Sequence, residues 1–375
     1  MSPPGAHAPA NARASDDARR RRAKTWLLRG AKVLIVVVVV WFIRRTLLDA
    51  WTQLFDASDP TKHRVWQFHW QWLPVAGAIY IAALLPAGYF WYRALRALGQ
   101  DARLGETLRA YFIGHLGKYV PGKAMVVILR AGLISGHRVH VGIAAASVFL
   151  ETLTWIAVAS FLAAACLAVQ FRGHTWFLVG AVALLVAAAL PTIPPIFVRL
   201  ATWARVGKSD PEVAAQLHNL RLPTILLGWG LMSLSWLLMG VCYWATLQAM
   251  GIDMGAPWEY LPRLVASVAL ATVLGFVAIV LPAGMGVREA ALTELMVPYL
   301  ATFPAFREEA AAVAVLSAVL LRLVSLVSEL AVSGILYGLG FRGERPNASS
   351  DAPAEGPPNA AVDSARSSPT DAPRP

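Results

Sequence analysis

The sequence is short of almost everything a water-soluble protein needs. Only 15% of its 375 residues are charged, against about a quarter in soluble domains. Cysteine is nearly missing: Cys166 and Cys242 each sit inside an apolar run, where they read as small core residues. A disulfide or a cysteine metal pair is not expected. The loops hold no carboxylate pair, metal-ligand cluster or nucleophile–base arrangement, so neither a cofactor nor a metal is expected. Acidic residues are also few, 22 against 33 Lys and Arg, a formal charge of +11. The basic residues sit mostly in loops and ends, the pattern of the positive-inside rule. No nucleic-acid-binding motif accompanies them, so no nucleic-acid partner is expected.

What the chain has is apolar sequence. Hydrophobic residues make up 57% of it, the mean hydropathy is +0.55, and several runs reach the roughly 20 residues that cross a bilayer. These features predict an all-α, polytopic membrane helix bundle. Residues 1–23, rich in Ala, Pro, Arg and Asp, read as a disordered basic segment. A membrane domain is expected over 24–341 and a disordered tail over 342–375.

A first uncleaved span is predicted near 26–48, since Arg44 and Arg45 follow it where a cleavage site would need small residues. Residues 49–71, with Trp51, Trp66 and Trp70, read as an outer interfacial segment. A second span is predicted over 72–92, and Arg93, Arg96, Arg103 and Arg109 place its exit in the cytoplasm. Further spans are predicted near 141–169, 176–200, 224–250 and 310–338. Pro191, Pro194 and Pro195 should kink the second of these or end it early. This topology places both termini in the cytoplasm of a bacterial inner-membrane protein. Lys62, His63 and Arg64 are its one basic cluster outside.

Two stretches break the apolar pattern. Tyr111 to Gly136 carries His115, Lys118, Lys123 and Arg130, and Pro121-Gly122 interrupts it. Val280 to Leu292 repeats the design: a Pro/Gly break containing Gly284 and Gly286, then Arg288 and Glu289. Broken, charged helices are tolerated at membrane depth only where protein buries them or a cavity wets them. The preceding span runs inward for the first and outward for the second. If both are re-entrant hairpins, they form an inverted repeat with tips meeting near the midplane, an arrangement that marks transporter binding sites. Alternatively, residues 263–281 and 288–303 cross fully.

A helix starting at mid-membrane leaves its first N–H groups free, which favours an anion. Such starts are expected near Lys123 and Val287. Lys118, Pro121, Gly122, Lys123, Arg130, Gly284, Gly286, Arg288 and Glu289 therefore make a candidate substrate-binding set. A phosphate-bearing lipid head group is the expected ligand, with Arg288 as a planar fork and Glu289 as its partner. The bland alternatives are cytoplasmic loop lysines at 118 and 123, and an Arg288–Glu289 pair that only locks two helices. His115 reads as a packed histidine before a proton carrier. Glu151, Arg322 and Glu329 are further intramembrane charges, and the seven-residue spacing of the last two puts them on one helix face.

With these residues named, the chain resembles the transmembrane flippase-like part of the lysylphosphatidylglycerol synthase/flippase family. LGKYVPGK followed by Arg130 is similar to its first motif, LPAGMGVREAAL to its second, and Arg322 to a recurrent arginine. The resemblance covers roughly residues 25–340. Two departures stand out: the third-span motif keeps Glu151 but has Thr152 and Thr154 where Arg and Asp are usual, and Ala283 replaces a glycine. The resemblance implies movement of anionic phospholipid, or of a polyprenyl-phosphate-linked lipid, between leaflets. Only about 35 residues follow the membrane part, too few for the family's aminoacyl-transfer domain, so synthase activity is not expected. The rivals are a membrane enzyme acting on a lipid-linked substrate and a non-transporting subunit of a membrane complex. Partners expected beyond the lipid are a second copy of the chain or a lipid-synthesis protein.

Overall fold

The computed structural model describes residues 68–120, 124–136, 138–170, 175–203, 211–252, 254–278, 284 and 286–340. The expected first span, the ends expected to be disordered and residues 49–67 of the interfacial segment lie outside these. By its contacts the chain divides into Met1–Tyr337 and Gly338–Pro375. The first unit carries the site; of the second, residues 338–340 are described, as the end of a helix.

The described residues contain helices and no strand. In order they are α1 Trp72–Ala97, α2 Leu104–His115, a 3₁₀ turn Leu116–Tyr119, α3 Ala124–Ile134, α4 Val141–Gln170, α5 Thr175–Ala189, α6 Pro194–Trp203, α7 Pro211–Leu217, α8 Leu222–Ala249, α9 Pro257–Val277, α10 Val287–Leu300 and α11 Ala310–Gly340. Five of them, α1, α4, α8, α9 and α11, are long and apolar enough to cross a membrane. A sixth span is added if α5 and α6 count as one, despite a bend of 77° between them. The bend falls where the prolines stand: α5 gives way to a 3₁₀ turn at Leu190–Thr192, and Pro194 and Pro195 open α6, where the first turn needs no proline N–H. The chain is a multi-pass membrane protein.

Two boundaries differ from the sequence reading. The second span runs on to Ala97, carrying Arg93 and Arg96 within its last turns; Arg96 is held by Asp101 at 2.7 Å. The limb before the second break starts at Pro257 rather than near 262. Its 21 residues extend about 31 Å, enough for a full crossing. The first broken segment is built differently. α2 and α3, of 12 and 11 residues, reach only about 17 Å each, roughly half the hydrocarbon thickness.

The bundle is held by close approaches at small residues, the usual device where lipid removes the hydrophobic drive between helices. α1 lies along α8, and a Cβ on Gly228 would sit 2.4 Å from the Phe90 ring. α8 meets α9 where a Cβ on Gly240 would sit 2.4 Å from Val265. α9 also packs on α4. Residues such as Ile128 and Val327 remain exposed, as expected of faces that meet acyl chains.

Candidate functional site

The two broken segments are helical pairs whose limbs touch through glycine. In the first, α2 packs on α3. A Cβ on Gly114 would lie 2.4 Å from Arg130 Cγ, and one on Gly117 would lie 2.9 Å from the Val126 backbone. In the second, α9 packs on α10, and a Cβ on Gly275 would lie 3.2 Å from Arg288 Cβ. Gly284 has φ +66 and faces Gly275 so closely that a Cβ would lie 2.7 Å from its Cα. Both its conformation and its space demand glycine. Each pair thus sets an arginine directly over a glycine of the opposite limb.

Between the pairs lies a cavity of about 370 Å³. Its charged end is formed by His115, Lys118, Arg130, Glu151, Arg288 and Arg322, with Gly284 beside them. Apolar side chains, among them Leu153, Trp155, Trp236 and Met239, form the rest of the wall. Val120, Phe149 and Phe276 line the cavity while remaining 42%, 52% and 37% exposed. They form an apolar rim between the interior and the outside of the bundle.

Most of the charges are paired. Arg130, 2% exposed, donates to Glu151 Oε2 at 2.7 Å and to His115 Nδ1 at 2.9 Å. Its guanidinium lies 3.9 Å from the centre of the Tyr111 ring, a cation–π contact, and Tyr111 Oη donates to Glu151 Oε1 at 3.4 Å. Lys118 Nζ lies 3.1 Å from His115 Nε2 and is hydrogen-bonded to Glu329 Oε1 on α11. Tyr80 Oη on α1 donates to that same oxygen. A loop lysine in bulk cytoplasm would be exposed; the Lys118 side chain is 20% exposed and hydrogen-bonded to a carboxylate that is 1% exposed.

The second arginine behaves differently. Glu289 does not pair with Arg288. Its Oε2 accepts from the Gly286 N–H at 2.7 Å, closing the start of α10, where Gly286 has φ +83. Its Oε1 stands 3.7 Å from Arg322 Nε on α11. Successive helix positions point about 100° apart, so the two neighbours could not both serve one site while the carboxylate also reached back to cap the helix. Arg288 is left lining the cavity, with no hydrogen bond or ion pair to any described residue. Arg322 and Glu329 share a face, as their spacing requires, but bind different partners.

Of the residues singled out in the sequence, His115, Lys118, Arg130, Glu151, Gly284, Arg288 and Arg322 converge on this cavity. Glu329, Glu289 and Gly286 support it from behind. Pro121, Gly122 and Lys123 lie outside the described residues. The sequence reading overlooked Tyr80, Tyr111 and Tyr119. Its one available signal was a hydroxyl placed in an apolar stretch, which must find a partner when buried. Among the described residues, no group of three or more His, Cys, Asp or Glu could hold a metal ion.

A family model described as "Lysylphosphatidylglycerol synthase TM region" matches residues 30–332. Comparison with curated proteins and with solved structures gives no match.

Proposed function

We propose that this chain, which belongs to the lysylphosphatidylglycerol synthase TM-region family, moves an anionic phospholipid or a polyprenyl-phosphate lipid between the leaflets of a bacterial inner membrane. Family membership makes it an integral membrane protein of lipid metabolism or transport; the transport step is the finer reading. The observation that carries it is Arg288, a cation facing an apolar-walled cavity with no hydrogen bond or ion pair to a described residue. Arg288 is half-buried, so it has lost part of its hydration without gaining a described partner, and a lipid phosphate supplies one in a geometry the planar guanidinium matches.

The cavity suits an amphipathic ligand better than a free anion. The phosphate sits among Arg288, Arg322 and Lys118. The tails leave over the rim of Val120, Phe149 and Phe276 into the bilayer. The two glycine-pinned helical pairs are related as an inverted repeat, α2–α3 as a re-entrant hairpin and α9–α10 with one limb that crosses fully, and access alternates as they tilt. Head-group transfer chemistry is not part of this reading, because Glu151 is held by Arg130 and Glu329 by Lys118 and Tyr80, and neither stands free as a base.

The test is reconstitution in liposomes with lipids of defined head group. Faster movement of phosphatidylglycerol than of phosphatidylcholine, abolished by Arg288→Ala in a folded protein, supports the reading. Equal rates for both lipids, or an unaffected Arg288→Ala variant, remove it.

A further inference from the structure

We infer that His115 and Lys118 share one exchangeable proton and that the cavity takes up this proton together with the anionic head group. This inference rests on the transport reading of the same site and adds proton coupling to it.

It follows from counting donors. Arginine has no lone pair to offer, so the 2.9 Å contact between Arg130 Nη2 and His115 Nδ1 makes Nδ1 the acceptor. A neutral imidazole then carries its hydrogen on Nε2. Nε2 faces Lys118 Nζ at 3.1 Å. An ammonium group has three N–H donors and no acceptor, so two donors would confront each other. The contact closes only if the Lys118 amine is uncharged. It then accepts the Nε2–H with its lone pair and donates its own N–H to Glu329 Oε1. The cluster as built is therefore one proton short.

The surroundings fit that assignment. Around the pair stand Tyr111 of α2, stacked on His115 at 5.8 Å, Arg130 of α3, and Glu329 of α11 with Tyr80 of α1 bound to it. The Tyr119 ring lies 5.2 Å from Lys118 Nζ, and Arg288 of α10 and Arg322 of α11 face the same cavity. With Lys118 uncharged, the three arginines 130, 288 and 322 meet the three carboxylates 151, 289 and 329, and the described charges of the site cancel. One added proton leaves a single positive charge, which one phosphodiester anion balances.

The added proton also changes the geometry. Protonated Nζ loses its lone pair and with it the His115 contact. Lys118 then turns toward the cavity it already lines, and the Nε2–H is left to Glu329 Oε1, now 3.6 Å away. The step forms one N–H bond, with the proton drawn from water, and involves no redox change. Proton uptake thus frees a second cation for the phosphate, and phosphate binding stabilises the proton, by the reciprocity that holds between any two linked sites.

The experiment titrates phosphatidylglycerol into the full-length protein, in nanodiscs of neutral lipid, across the neutral pH range. Affinity should rise about tenfold per unit fall in pH, the slope of one linked proton. In weakly buffered solution about one proton should leave the medium per lipid bound. Lys118→Gln supplies an amide that accepts from Nε2–H and donates to Glu329, holding the proton-poor arrangement. It should bind more weakly, with no pH slope and no proton uptake. If the wild-type protein binds phosphatidylglycerol with a flat pH profile, or Lys118→Gln keeps the wild-type slope, proton sharing is overturned and the anion site stands. If phosphatidylglycerol does not bind the wild type at all, the anion site falls, and this inference falls with it.

Discussion

Glu289 meets Arg322 on the last helix, 3.7 Å away, and leaves its chain neighbour Arg288 without a described partner. A sequence pair that looks like a self-contained ion pair is thus two separate elements: a helix cap that also holds a neighbouring helix, and a cation with no partner among the described residues.

Arg288 should accordingly matter for transport and little for folding. Arg288→Lys keeps the charge and loses the fork. Losing one charge-assisted hydrogen bond, about 1.5 kcal/mol, lowers transport about tenfold. Arg288→Ala should abolish transport while the melting temperature in detergent moves less than for Glu289→Ala, which removes both a cap and an ion pair. A large loss of stability in Arg288→Ala would show that the arginine is a structural lock.

Arg130 and Glu151 form the reverse case, a fully buried pair with 2% and 5% of their side chains exposed. Glu151→Ala strands a charged guanidinium and should cost about 3–5 kcal/mol. Replacing both residues with leucine should recover most of that loss, because apolar side chains of similar volume often match a buried pair. Thermal unfolding of the single and double variants measures the difference, and additive losses would contradict the pairing.

The contact between Gly117 and Val126 should be similarly unforgiving. A methyl group at residue 117 meets backbone, not a side chain that can swing away, so Gly117→Ala should destabilise by about 1–3 kcal/mol. Gly132→Ala, on α3 with nothing within 4 Å of the added Cβ, should be neutral or stabilising by up to about 1 kcal/mol. Equal effects from the two would mean that the limbs do not meet where described.

Purified protein should transfer no amino acid from charged tRNA to phosphatidylglycerol. The carboxylates lining or backing the cavity are engaged by arginine and lysine, so none is available to activate a lipid hydroxyl. Radiolabel in the lipid fraction, dependent on this chain alone, would reverse the assignment.

The sequence carried the membrane architecture because hydropathy and proline act locally. The spans α4, α8 and α11, the kink before Pro194 and the breaks flanked by charge follow from residues within a turn or two of one another. It also located most of the charged end of the cavity, since a lysine or arginine in an apolar stretch stands out. Partner choice was not legible. Lys118 and Glu329 are 211 residues apart, and Tyr80 and Glu329 are 249 apart. Which carboxylate reaches which cation is decided by how whole helices cross, and a one-dimensional pattern does not encode that. The error at Glu289 came from treating adjacency in the chain as adjacency in space.

If the protein moves lipid as proposed, the dimensions of the cavity set a gauge on the cargo. At about 30 Å³ per water molecule, 370 Å³ is room for about a dozen small groups. On the transport reading that is room for a glycerol phosphate or a bare terminal phosphate, and a phosphate loaded with a chain of sugars would have to extend beyond it. Tail length meets no such gauge, because the rim at Val120, Phe149 and Phe276 opens sideways. The protein would sort its lipids by the bulk of what stands in water and be indifferent to how far they reach into oil.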